Sequence, residues 1–249
     1  RSRFDFHHFY VDAEYVWQYG ELNPNVAHSA SDEERQLPFY LPTVSVAIAP
    51  LAAGGRNFAA CVWTAVQLAA FIYSVVVLLG WCRRLYSGAD PTVPLTITLI
   101  IALPALIEAA RFNQVSYFVL ALALGGMTAL ERDRPIRGGA LLAAAAVLKL
   151  LPGLLLIWLL LKRQWRAAWA FCVAALAFIV LPPLIYFGPQ RTWTYHRDWL
   201  TYNVQAAHGM LNPDLPEHFI DHRNESFAQV LARLAWSDHP YRLQHQPLH

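Results

Sequence analysis

Charge is scarce in this chain. Only 14% of its 249 residues are Asp, Glu, Lys or Arg, where a soluble domain carries roughly a quarter. What charge there is nearly cancels, to a formal +2, so nothing argues for nucleic acid. Three cysteines, Cys61, Cys82 and Cys172, are too few and too scattered for a disulfide scaffold. Cys61 and Cys82 would sit about 30 Å apart on one helix. All three are expected to be small buried hydrophobes. No Gly-rich phosphate loop, no G-x-S-x-G and no Cys/His nucleophile pattern occurs. Histidine is missing from residues 41–187; all ten lie in the flanks.

What is present is apolar, at 56%. The long uncharged runs are confined to residues 41–187. Repeated runs near 20 apolar residues exclude a single water-soluble core. The expected fold is an all-α, polytopic membrane protein. Residues 1–40 form an extracytoplasmic loop with juxtamembrane helices, 41–187 the transmembrane region, and 188–249 an extracytoplasmic polar segment. The chain opens at Arg1 with no methionine and no apolar leader, which reads either as a piece of a longer protein with a membrane helix upstream or as a gene of this length.

Six apolar segments are predicted as helices: 41–53, 58–81, 92–110, 113–130, 138–161 and 167–187. Basic residues discriminate between topologies. If every segment crosses, each side holds five basic residues in short loops. If 41–53 dips in and returns, and 138–161 is a hairpin broken at Lys149–Pro152, the distribution becomes eight against two. Arg83, Arg84, Arg132, Arg134, Arg137, Lys162, Arg163 and Arg166 then share one side, leaving Arg56 and Arg111 on the other. The hairpin model is favoured, although its arm 153–161 spans only about 14 Å. Both models put the polar flanks on the non-cytoplasmic face.

Several residues are candidates for chemistry. Asp5 sits among aromatics in RSRFDFHHFY, where partial desolvation would suit a general base; Asp12 and Glu14 compete with it. Lys149, in LLAAAAVLKLLPG, is an intramembrane cation and needs an anionic partner, either Glu108 or a lipid phosphate. Snorkelling is the alternative. Glu108 and Arg111 are spaced to pair. Asn113 suits a helix N-cap, and Gln114 a polar ligand contact. His218, Asp221 and His222 have metal-ligand spacing, but no second pair follows, and no metal is assigned. Asn224–Glu225–Ser226 fits a glycosylation sequon that arises readily by chance.

In order, the chain offers FDFHHFYVDAEYVWQYG, FYLPTVSVAIAPLA, the block from RFNQVSYF through the basic loop to AAAAVLKLLPG and LKRQWRA, and HRNESFAQVLARL. This resembles glycosyltransferase family 87, the bacterial polyprenol-phosphate-mannose-dependent α-mannosyltransferases of the GT-C superfamily. Residues 111–168 carry the most specific part of the likeness. Leu41 stands where the family often has a second proline before Pro42, and the family is usually longer at both ends. The resemblance implies a GT-C-like helical bundle in the bacterial plasma membrane, with its active site on the extracytoplasmic side. It implies an inverting hexosyl transfer from a polyprenyl phosphate to a glycolipid or glycan acceptor, with no cofactor. Asp5 then maps onto the catalytic base. Lys149, Arg111, Asn113, Gln114, His196 and His222 are the candidate donor-binding residues. Trp193, Tyr195 and Trp199 are candidates for sugar stacking. A transporter or flippase is the main rival reading, since broken helices and an intramembrane Lys occur there too. No internal repeat supports it. An inactive GT-C fragment is the third.

Overall fold

The computed structural model describes residues 5–22, 40–85, 92, 96–98, 100, 103, 106–107 and 115–211. The described residues include eight α-helices: α1 (Asp5–Tyr19), α2 (Pro42–Ala52), α3 (Gly55–Leu85), α4 (Ser116–Glu131), α5 (Pro135–Leu148), α6 (Leu154–Leu161), α7 (Trp165–Phe187) and α8 (Pro189–Leu211). A 3-10 turn, Leu151–Gly153, sits between α5 and α6. No strand occurs among the described residues. Two compact units divide the chain after His196; everything described below lies in the first, except the continuation of α8.

Proline sets several helix boundaries. Pro42 and Pro135 open α2 and α5 near their first positions, where a missing N–H costs nothing. Pro152 closes α5, because it offers no N–H to the Leu148 carbonyl four residues back. Lys149 takes an extended conformation, φ −152° and ψ 122°. Lys149 therefore caps α5, at the break that the hairpin reading places between Lys149 and Pro152. Gly188, at φ 79°, ends α7 in a conformation that glycine adopts without strain.

Packing directions follow from residue contacts. Residue numbers rise together along α3 and α4: Trp63 meets Phe118 with ring centroids 5.2 Å apart, Gly125 faces the Tyr73 hydroxyl, and Arg84 reaches Glu131 at 3.1 Å. These two helices run parallel. The α4–α5 pair is antiparallel and glycine-tight. A Cβ on Gly126 would lie 3.1 Å from the Gly138 carbonyl oxygen, and one on Gly138 3.0 Å from that of Gly126. Small residues let membrane helices approach this closely.

Gly139 of α5 seats directly against the backbone of Ala167 and Phe171 in α7. So α5 and α7 begin at the same end of the bundle. Leu148 lies nine residues, about 13 Å, further along α5. The chain must therefore return between 149 and 166, and α6 is that return. Leu159 is buried with Leu142, Ala143, Ala167, Ala168 and Phe171. Residues 138–161 form a hairpin, and the turns 132–134 and 162–164 share one end with Arg83 and Arg84. The eight basic residues gather there, as the hairpin model requires.

Two helices, Gly55–Arg84 and Trp165–Phe187, are long and apolar enough to cross a membrane. Only 17% of the apolar stretch of each is buried within the protein, where the core helix of a soluble domain would be mostly covered. Val66, Ile72 and Val76 of α3, and Trp169, Val173, Leu176 and Ile185 of α7, face outward. At about 16 Å, the 11-residue α2 spans half a hydrocarbon core. Segment 92–110 lies largely outside the described residues. The cysteine expectation is corrected: Cys61 and Cys172 are exposed and Cys82 is half-buried. An exposed face of a membrane helix accepts a small apolar side chain as readily as a core does.

Candidate functional site

The end of the bundle opposite the basic turns is covered by α1. Its first half supplies Phe6, Phe9, Tyr10 and Ala13 to a buried cluster with Val44, Ile48, Ala52, Ala59, Trp63 and Val115. Phe6 and Phe9 both lie against Trp63, with centroids 5.9 and 5.4 Å away. The last turn of α1 reaches the end of α7. Val16 is buried with Ala49 and Phe187, and its carbonyl accepts a 2.9 Å hydrogen bond from the Tyr186 hydroxyl. Arg191 pairs with Glu21 at 3.0 Å. With Phe6, Phe9, Tyr10, Ala13 and Val16 buried and Trp17, Gln18 and Tyr19 exposed, α1 rides across the bundle end as a cover. Burial raises the Tyr10 pKa, helped by its hydrogen bond to Glu14; the phenol donates to Glu14 Oε1 at 3.0 Å.

Leu148, the last residue of α5, packs against the same cluster. Lys149 follows it, exposed at the helix C-terminus, where a cation offsets the negative end of the dipole. Its Nζ donates to Ser116 Oγ at 3.3 Å. Ser116 opens α4 and follows Val115, another cluster member. The backbone of Asp5 opens α1 next to Phe6; its side chain is not among those described. Asp5 and Lys149 are thus sequence neighbours of two residues, Phe6 and Leu148, that belong to one cluster. Arg111, Asn113 and Gln114 lie just upstream of Ser116 but outside the described residues, as does His222.

His196 has a different setting. Its Nε2 lies 3.1 Å from the Ile179 carbonyl oxygen and its Nδ1 2.8 Å from that of Thr192. The Ile179 contact has a cause in the sequence. Pro182 and Pro183 lie inside α7, and each withholds the N–H that the carbonyl four residues earlier needs. The two freed carbonyls belong to Phe178 and Ile179. Thr43 Oγ1 of α2 donates to Phe178 at 2.6 Å, and the His196 ring of α8 meets Ile179. Freed carbonyls in a membrane protein need such partners. The double proline therefore docks α2, and α8 as far as His196, onto α7. Sequence reasoning missed Thr43 and Ser116. The prolines locate the orphaned carbonyls, but nothing local identifies which distant hydroxyl or ring satisfies them.

Among the described residues, no three His, Cys, Asp or Glu side chains converge on a metal-sized site. The helical architecture and outward apolar faces define an all-α membrane protein. Residues 39–246 match the model of glycosyltransferase family 87, and the chain belongs to that family. It is accordingly a membrane glycosyltransferase. Comparison with curated proteins and with solved structures gave no match. The matched stretch includes Arg111, Asn113, Gln114, Lys149, His196 and His222; Asp5 precedes it.

Proposed function

We propose that the chain transfers a hexose, mannose by family expectation, from a polyprenyl phosphate to a glycolipid or glycan acceptor, inverting the anomeric centre. The protein sits as a multi-pass enzyme in a bacterial plasma membrane. The end bearing Arg83, Arg84 and the two basic turns faces the cytoplasm, following the bias of short loops for Lys and Arg. The α1 cover and Lys149 then face the extracytoplasmic side. The donor is a lipid substrate, and the reaction takes no cofactor.

In this reading Asp5 removes the proton of an acceptor hydroxyl. The hydroxyl oxygen attacks the anomeric carbon opposite the phosphate, and the carbon–oxygen bond to phosphate breaks with its electron pair going to phosphate. A transition state of oxocarbenium character places growing negative charge on the departing group. A fixed cation aimed at that charge lowers the barrier. Lys149 supplies it, steadied by Ser116 Oγ at 3.3 Å. Arg111, Asn113 and Gln114 precede Ser116 in the chain and add donors to the same phosphate. His222 is a further donor-binding candidate. His196 joins them only by giving up the Ile179 carbonyl.

The observation that carries the proposal is the placement of an exposed lysine, capping a broken membrane helix, at the bundle end covered by α1. Replacing Lys149 with Ala should lower kcat/KM for the lipid-linked donor by about 100-fold, with partial recovery in Lys149→Arg. Unchanged donor kinetics would return Lys149 to a snorkelling role.

A further inference from the structure

The basic end of the bundle takes no part in the transfer chemistry, yet it is built with care. The turns after α4 and α6 are the same motif. The amides of Asp133 and Arg134 bond the carbonyls of Leu130 and Ala129; those of Arg163 and Gln164 bond Leu160 and Leu159. These are the two crossed bonds of a Schellman turn. The left-handed residue in each is not glycine: Asp133 has φ 54° and Arg163 φ 55°. The Gly139–Ala167 contact holds the two turns side by side.

This rigid platform presents Arg132, Arg134 and Arg137 from one turn, Lys162, Arg163 and Arg166 from the other, and Arg83 and Arg84 from the end of α3. Arg84 pairs with Glu131. Among the described residues, the other seven side chains form no ion pair or hydrogen bond. Around them, large apolar side chains are also exposed: Ile136, Leu161, Trp165 and Trp169. Cations rimmed by tryptophan and aliphatic groups are the composition of a membrane–water boundary. A purely aqueous basic patch has no use for such a rim.

We infer that this face is a binding surface for the headgroups of anionic phospholipids of the phosphatidylglycerol class. The turn arginines take the phosphodiester as charge-assisted donors. Acyl chains follow the outward row of α7, from Trp169 through Val173 to Leu176. That continuous apolar row is why a lipid, rather than free phosphate, is the occupant. The inference rests on the membrane setting of α3 and α7 and is independent of the donor chemistry.

The test counts bound lipid by native mass spectrometry on the delipidated full chain in neutral detergent. Phosphatidylglycerol and phosphatidylcholine are titrated in parallel, with inorganic phosphate as competitor. Phosphatidylglycerol should bind in preference, and high salt should abolish the preference. Each neutralised cation should weaken it about five-fold. The combined Arg134→Gln, Arg137→Gln, Arg163→Gln and Arg166→Gln variant should bind both lipids alike, while Arg56→Gln with Arg191→Gln should keep the preference. Equal binding of the two lipids by the unaltered chain, or a preference retained in the fourfold variant, would overturn the inference. So would displacement of phosphatidylglycerol by inorganic phosphate. The salt series on the unaltered chain stands even if the fourfold variant fails to fold.

Discussion

Replacing Thr43 with Val removes a hydroxyl and keeps the shape. Thr43 is 5% exposed, and its Oγ1 meets the Phe178 carbonyl at 2.6 Å. Pro182 denies that carbonyl its helical partner. The variant leaves a carbonyl at the α2–α7 contact without a donor, which costs about 1–3 kcal/mol in a buried site. Hydrogen bonds within membrane bundles average nearer 0.6 kcal/mol and reach about 1.7. The two ranges overlap between about 1 and 1.7 kcal/mol. The companion change, Pro182→Ala, restores an N–H to which the Phe178 carbonyl can return. In that background Thr43→Val should cost less than about 0.5 kcal/mol, giving a coupling near 1 kcal/mol. The assay is loss of helical circular dichroism as a denaturing detergent replaces a mild one, run on all four members of the cycle. If Thr43→Val costs the same in both backgrounds, the hydroxyl is not answering the proline, and α2 is held by packing alone.

Three further expectations concern the scaffold. Gly139→Ala should destabilise by about 1–3 kcal/mol in the same detergent titration, because the new methyl meets the backbone of Ala167 and Phe171 rather than a movable side chain. Gly153→Ala, with open space at its Cβ, should be nearly silent; equal costs would dissolve the α5–α7 contact. Single cysteines at Asp133 and Gln164, in a background lacking the native three, should label from the same side of sealed vesicles; opposite sidedness would rule out the hairpin. Arg84→Ala should change stability by less than about 1 kcal/mol, since the pair with Glu131 is half-exposed on both sides; a larger loss would mean the basic end is structurally committed.

Much of the architecture could be read from residue types alone, because lipid imposes strict rules. Apolar runs had to be helices, and eight basic residues had to be reconciled with one another. That count selected the hairpin before any contact was known. Pro152 marked the break, although the capping of α5 by Lys149 needed the backbone itself. Other features depend on partners distant in the chain. Gly126, Gly138 and Gly139 look like ordinary small residues until their facing helices are placed. Thr43 lies 135 residues from the carbonyl it serves, and no periodicity points across that gap. The cysteines were misread because burial in a core and contact with lipid select the same apolar side chains. At the candidate site, Lys149 stood out as a charge in an apolar run. Ser116 did not, since a serine at a helix start has an ordinary capping explanation. That α1 covers the bundle end above Leu148 followed only from packing.

The central claim, sugar transfer from a lipid-linked donor with Asp5 as base, is tested most directly in membranes containing the full-length protein, supplied with radiolabelled polyprenyl-phosphate mannose. Label should pass to an acceptor fraction in membranes with the unaltered protein. It should stay on the donor lipid in the Asp5→Asn variant expressed to the same level. No transfer above protein-free membranes would contradict the glycosyltransferase reading of donor and sugar. Undiminished transfer by Asp5→Asn would leave the activity standing and remove Asp5 from it.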